Sequence, residues 1–484
     1  MNSKDITFRW PFLCVLLQGA GLSFCLIWAA SILAFPYEKG SSGAYIAVIL
    51  GASAGMLLSL RSVKAVLNSW ISYPGSGRFL LWMILIGLAL RIFVIMIQPV
   101  ELKSDQLIYH SKALELLKGE GYGPTAFLPP GFPMILAGWY WAIGPNPTAG
   151  FLLGALLGTA AIPLAYEAGR RIASHQAARW AALLTAIFPS LVLSSPSIHT
   201  TSILVVCVLG IVVLTLRADK SKQPFGWSTI GLGAIIGLGS LVKPIFLFVP
   251  IMILLNWISV GLNRTRIWKL VLVIVIASCF VAPWTLRNYF VLNAFVPVST
   301  NGGYVLYHGM NPNTCGMWSS EFDSLKTNDE VESNRIARDT ATTWMRNHPM
   351  QCLSLICRKQ AFMWGTSSTS LGYISATSIC SIPQKSIENC IKVLINTAWT
   401  LLMALCFKAT LSTRIWQKPC FALCALWIFY VFGSHLFFEV QSRYHVSVIP
   451  ILIVIASSVM AVSCNRSNEL HPIEDNNPNV AEII

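Results

Sequence analysis

Charge is what this 484-residue chain has least of: Asp, Glu, Lys and Arg together make up 11% of it, and the acids number only 20. Soluble globular domains carry about 25% charged and about 45–50% apolar residues. A hydrophobic content of 55% with so little charge therefore excludes an ordinary water-soluble enzyme, and the same figures exclude a disordered chain, a collagen and a disulfide miniprotein. The 13 Cys include no CxxC pair and no Cys/His spacing of the zinc type, so no thiolate metal site is indicated. A cleavable leader is also not evident, because the apolar run from Phe12 is too long for an h-region and has no convincing small-residue cleavage site. What is abundant is lipid-compatible surface, with 17 Trp and 24 Phe available for lipid contact and interfacial anchoring.

The expected fold class is an all-α polytopic membrane protein with interfacial helices and a small water-facing subdomain on the outer side, periplasmic or lumenal. Runs of the about 17–25 apolar residues that cross a bilayer fall at 10–34, 43–61, 79–98, 149–169, 178–195, 200–217, 226–242, 244–261, 270–287, 388–407, 419–438 and 446–464, twelve in all. Alternate connections are basic: Arg61, Lys64 and Arg78; Arg170, Arg171 and Arg179; Arg217, Lys220 and Lys222; Arg264, Arg266 and Lys269; Lys408, Arg414 and Lys418. The positive-inside rule places these loops and both termini in the cytoplasm. The net charge of +14 thus reads as orientation, since its cations form short clusters and not the single stripe or tail that nucleic acid would favour.

The expected organisation is a two-helix hairpin over 1–75, a transmembrane core over 76–287 with a first outer loop at 99–148, an outer subdomain over 288–387, C-terminal helices over 388–464 and a polar cytoplasmic tail over 465–484. Both long loops lie on the outer side, and loops longer than about 15 residues are usually functional or independently folded. Cys315, Cys352, Cys357, Cys380 and Cys390 lie in or beside the larger loop, where an oxidising compartment would allow pairing.

The first outer loop reads Glu101-Leu-Lys-Ser104-Asp105-Gln106-Leu-Ile-Tyr109, with Leu114 and Leu117 on one face. This predicts an amphipathic surface helix capped by Ser104. Asp105 falls in its first turn, where the helix dipole favours the carboxylate, a state suited to a base or a cation ligand; the alternative is that Asp105 only supports the helix start. Pro129-Pro130-Gly131-Phe132-Pro133 predicts a turn back toward the bilayer. Lys243-Pro244, Arg287, Arg358-Lys359 and Arg443-Tyr444 place cations at the outer boundary. Charge at that depth points to a functional site, here a bound anion, with snorkelling to lipid headgroups as the alternative; Arg91, inside its run, is open to both readings. Ser299 to Tyr304, His308 and Asn311 form a segment suited either to tight turns or to hydrogen bonding with a polyhydroxylated or phosphorylated ligand.

Taken in order, Asp105 with Tyr109, the Pro129–Pro133 turn, Gly169-Arg170-Arg171, Leu241-Val242-Lys243-Pro244, Pro283-Trp284-Thr285-Leu286-Arg287-Asn288-Tyr289, Thr300-Asn301-Gly302-Gly303-Tyr304 and Arg443-Tyr444 resemble the GT-C membrane glycosyltransferases. The resemblance is to the bacterial branch related to protein O-mannosyltransferases and the lipid A aminoarabinose transferase, and covers about residues 79–464. It implies a multi-pass protein of the bacterial inner membrane with a periplasmic active site. The donor would be a polyprenyl-phosphate-linked sugar, and the acceptor hydroxyl would belong to a lipid, glycan or protein. Asp105 matches the family's catalytic acid. Lys243, Arg287 and Arg443, and more weakly Lys359, are candidates to hold the donor phosphate, while Tyr109, Tyr122, Asn301, Tyr304 and Asn311 are candidates for sugar or acceptor contact. No nucleotide cofactor is implied, and a divalent cation is left open. Many relatives carry further acids where this chain has Gln106 and Thr201. A flippase, a transporter and an inactive relative serving polysaccharide assembly are the competing readings.

Overall fold

The computed structural model describes residues 76–98, 102–318, 324–367, 384–411 and 419–469. The expected hairpin over 1–75, Cys380 and residues 470–484 lie outside these. The described residues are helical, with no strand among them.

Helix α1 (Ser76–Ile97) leads to the surface helix α2 (Asp105–Leu117), followed by α3 (Gly131–Ile143) and the long α4 (Pro147–Ile172). Then come α5 (His175–Ile187), the short α6 (Pro189–Ser194), α7 (Thr201–Lys220) and α8 (Trp227–Val242). A 3₁₀ turn (Pro244–Phe248) opens α9 (Val249–Ser259), and α10 (Arg264–Leu292) ends the first half. The segment expected on the outer side, called the outer segment below, holds α11 (Gly302–Gly309), α12 (Glu330–Asn347) and α13 (Pro349–Gly365), after which α14 (Gln384–Thr410), α15 (Pro419–Phe437), a second 3₁₀ turn (Ser442–Ser447) and α16 (Ile449–Glu469) complete the bundle.

Every apolar run drawn after residue 75 is helical, and six of the helices are long and apolar enough to cross a membrane. Four differences from expectation have local causes. The run 178–195 is split between α5 and α6 because Pro189 cannot donate to the ladder. The runs at 244–261 and 446–464 each begin with a 3₁₀ turn. Pro129 to Pro133 is not only a turn: Gly131, Phe132 and Pro133 form the buried first turn of α3, where missing donors are harmless. Finally, Ser104 sits before α2 but makes no side-chain cap; its backbone is at φ 50°, ψ −128°.

Polar caps set several helix starts. Asn146 accepts from the Ala149 amide at 2.8 Å, and Asn263 from the Arg266 amide at 2.9 Å. The basic connections gather at one end of the bundle: Arg170, Arg171 and Arg217 converge on Glu167, while Arg266 pairs with Asp219 at 2.6 Å. Because successive helices alternate in direction, the segments before α2, between α6 and α7, between α8 and α9 and before α16 meet at the other end. Arg91 is fully buried in α1 and donates to the carbonyls of Gly87, Thr185 and Ala186 and to Ser195, which tie the end of α5 to α1. In the outer segment Tyr307, Met310, Ala337, Ala341, Cys352 and Leu355 form a separate small core. Cys315, Cys352, Cys357 and Cys390 are all free thiols.

Candidate active site

Asp105 opens α2 and keeps its carboxylate 40% exposed. Arg443, from the second 3₁₀ turn, donates through Nη2 to Asp105 Oδ2 at 2.7 Å and through Nη1 to His199 Nε2 at 2.8 Å. A guanidinium has no acceptor, so His199 Nε2 must be the unprotonated nitrogen and the ring is neutral. Burial first, and then Arg443, holds the imidazole pKa far below its ordinary value. The 3.7 Å approach of His199 to Asp105 is therefore not an ion pair. Gln106 anchors this corner: it is buried, and its Oε1 accepts from the Ile198 amide at 3.2 Å. The Gln106 amide thus supports the main chain that leads into His199. Tyr109 packs edge-on against Phe132 at 5.0 Å and His199 at 5.9 Å, and burial raises its pKa above the ordinary phenol value.

Lys243 reaches the same place from the break between α8 and the first 3₁₀ turn. Pro244 disfavours a helical residue before it, and Lys243 is extended at φ −149°, ψ 119°. Gly131 lets α3 approach this break, since a Cβ there would lie 2.7–2.9 Å from the backbone of Leu241 and Val242. The Lys243 ammonium lies 4.3 Å above the Tyr444 ring and makes no hydrogen bond or ion pair with any described residue. Burial, reinforced by Arg443 and opposed by Glu439 and Asp105, lowers its pKa to about 8.

Two residues that the sequence did not single out belong here, His199 and Glu439. His199 directly precedes the Thr200-Thr201 pair already noted for a missing acid. Glu439 is 5% exposed, and its Oε1 accepts from Gln441 Nε2 at 2.8 Å and from the Tyr444 hydroxyl at 3.3 Å. In a chain with only 20 acids, a glutamate at the outer end of an apolar run was itself a signal.

The other candidates are committed elsewhere. Arg287 donates to the carbonyls of Thr125, at 2.8 Å, and Gly123, and packs on Trp284 at 4.8 Å; it clamps the loop before α3 and takes no part in the Asp105 cluster. Lys359 is fully buried and donates at 3.0 Å to the carbonyls of both Gly309 and Leu436. The Tyr122 hydroxyl donates to the carbonyls of Leu128, at 2.7 Å, and Pro129. Asn301 accepts from Ser299, Tyr304 packs edge-on against both Phe127 and His308, and the buried Asn311 accepts from the Asn313 amide. These contacts build the outer segment. Among the described residues no group of three or more His, Cys, Asp or Glu is placed to hold a metal ion.

The helical architecture, with six helices apolar and long enough to span a membrane, is that of the GT-C membrane proteins, as its likeness to solved structures shows. Residues 128–286 match the family model described as dolichyl-phosphate-mannose-protein mannosyltransferase. The chain superposes on oligosaccharyltransferase AglB from Archaeoglobus fulgidus in complex with an inhibitory peptide and a dolichol-phosphate, at a TM-score of 0.52 and 13% identity, covering 86% of this chain and 53% of that one. The Archaeoglobus fulgidus oligosaccharyltransferase tethered to an acceptor peptide containing the NVT sequon gives 0.53 and 12%, covering 84% and 52%. ArnT from Cupriavidus metallidurans bound to undecaprenyl phosphate gives 0.42 and 13%, covering 81% and 79%. The chain thus spans about half the length of the archaeal structures it matches. No curated protein matches it in sequence.

Proposed function

We propose that the chain is a glycosyltransferase of the bacterial inner membrane that moves a sugar from a polyprenyl-phosphate donor to an acceptor hydroxyl on the periplasmic side. Asp105 takes the proton of the acceptor hydroxyl as that oxygen attacks the anomeric carbon. The bond from that carbon to the phosphate oxygen breaks, polyprenyl phosphate leaves with the electron pair, and the configuration inverts. Lys243 meets the charge growing on the departing phosphate, where a lysine acts as a point charge. Arg443 orients Asp105, and its bond to that carboxylate makes it a secondary phosphate contact.

The observation that carries this reading is the uncommitted Lys243 ammonium in the same rim cluster as the Arg443-held Asp105. A basic cluster occupies the other end of the bundle, which supports an outer position for the site under the positive-inside rule. Lipid chemistry supports it too: a chain held in the bilayer by about 0.8 kcal/mol per buried CH₂ does not leave the lipid, so its enzyme must work at the interface.

The test is reconstitution of the full chain with polyprenyl-phosphate sugars and an acceptor extract, following release of polyprenyl phosphate by wild type and Asp105→Asn. Release that depends on Asp105 supports transfer. Release unaffected by the substitution rejects Asp105 as the base, and transbilayer movement of the lipid without release favours a flippase.

A further inference from the structure

We infer that Glu439 is the second working carboxylate of this site, a positioning residue that holds Tyr444 beneath the Lys243 ammonium and supplies the counter-charge that keeps that ammonium cationic for the donor phosphate. The inference rests on the donor reading for its functional sense, and on geometry for its substance.

Both hydrogen bonds to the Glu439 carboxylate land on Oε1, from Gln441 and from Tyr444. Oε2 has no partner among the described residues. Glu439 is 5% exposed, yet Oε2 is not one of the enclosed polar atoms that lack a partner, so this oxygen of a mostly buried acid is not sealed from solvent, and the acid need not be neutralised by a cation of its own to be accommodated. Its main chain is fixed on both sides: the Glu439 amide donates to the Val305 carbonyl and the Val440 amide to the Gly316 carbonyl, each at 2.9 Å. The carboxylate then reaches Lys243 through one aromatic ring, because the Tyr444 hydroxyl bonds Oε1 while the ring face lies 4.3 Å from Nζ.

The charges around Lys243 show why a second acid matters. Arg443 repels the ammonium, and the imidazoles of His199 and His435 also face it; Asp105 and Glu439 attract it. Asp105 is already engaged by Arg443 at 2.7 Å. Lys359 faces Glu439 from α13, but its ammonium is turned onto two carbonyls. Glu439 is thus the one acid around Lys243 that has no salt-bridge partner among the described residues.

The test reads Lys243 directly. The full chain in detergent is labelled with trace acetic anhydride across about pH 6–10, and acetylation of Lys243 is quantified by mass spectrometry. Wild type should show a midpoint near 8. In Glu439→Gln the midpoint should fall by about one unit, as expected when a neighbouring opposite charge is removed, with Glu439→Asp closer to wild type. Tyr444→Phe, which keeps the ring and loses the hydroxyl, should shift it less in the same direction. The donor kcat/KM of Glu439→Gln should fall by up to about tenfold on the alkaline side of the profile and stay within about threefold of wild type well below neutral pH, where Lys243 is charged in both proteins. A wild-type labelling curve in Glu439→Gln overturns the inference, including when that variant only unfolds more easily. Because labelling needs no turnover, a shifted curve in a protein that releases no polyprenyl phosphate rejects the transfer reaction and leaves the Glu439–Lys243 coupling standing. Turnover with an unshifted curve rejects the coupling alone.

Discussion

Arg443 and Asp105 are 338 positions apart in the chain and 2.7 Å apart in space. The contact closes the bundle by joining the first residue of its second described helix to the turn before its last. It holds the carboxylate through Oδ2, which in the proposed reaction leaves Oδ1 for the acceptor hydroxyl.

Asp105→Asn is expected to lower kcat by about 10²–10⁴-fold, the usual contribution of a general base, with little effect on folding. Polyprenyl phosphate release under single-turnover conditions checks this.

Lys243 sets an alkaline limit. With its pKa lowered to about 8, the ammonium is present below that pH and is lost as pH rises through it, so kcat/KM for the donor should fall above about pH 8. Lys243→Arg carries a charge that does not titrate in this range and should remove the limb, whereas Lys243→Ala should lower kcat/KM at every pH without unfolding the protein. A kcat/KM profile for the three proteins decides it.

Arg287→Ala should leave turnover within about threefold of wild type and lower stability by about 1.5–3 kcal/mol, the range for hydrogen bonds to a charged group. Thermal denaturation alongside the release assay separates the two. A loss of turnover with unchanged stability would restore Arg287 to the site.

Lys359 gives a stability signature of the opposite kind to a salt bridge. Burial lowers its pKa from 10.5 to about 7, so between those values the unfolded chain binds more protons than the folded one and stability rises with pH. Lys359→Met should flatten that rise in thermal denaturation of the purified protein from neutral to alkaline pH.

Ser104→Gly should stabilise the fold by about 1 kcal/mol, because a non-glycine residue at φ 50°, ψ −128° stores backbone strain of that order. Turnover should be unchanged, and paired denaturation and release measurements check both.

Much of the bundle was legible in the sequence because lipid imposes a single long apolar period on each helix. Asp105, Lys243 and Arg443 were legible as well: each is a charge at the end of an apolar run, and charge there is expensive. What such a signal does not show is which acceptors a cation has already found. Arg287 and Lys359 look like Lys243 in sequence, yet both are spent on main-chain carbonyls supplied by distant segments. His199 and Glu439 were missed for the converse reason, since what brings them into the cluster is Arg443 and Tyr444, partners that no local spacing announces. The Pro129–Pro133 segment was half legible, as its prolines mark a break but also fit the first turn of a helix.

The two main-chain hydrogen bonds that join Val305 to Glu439 and Gly316 to Val440 stitch the outer segment to the stretch running into Arg443. Lengthening the connection around Gly316 would therefore drag residue 439 with it. A chimera that exchanges the outer segment with that of a relative would have to bring residues 437–444 along, or the graft would arrive with its carboxylate out of register.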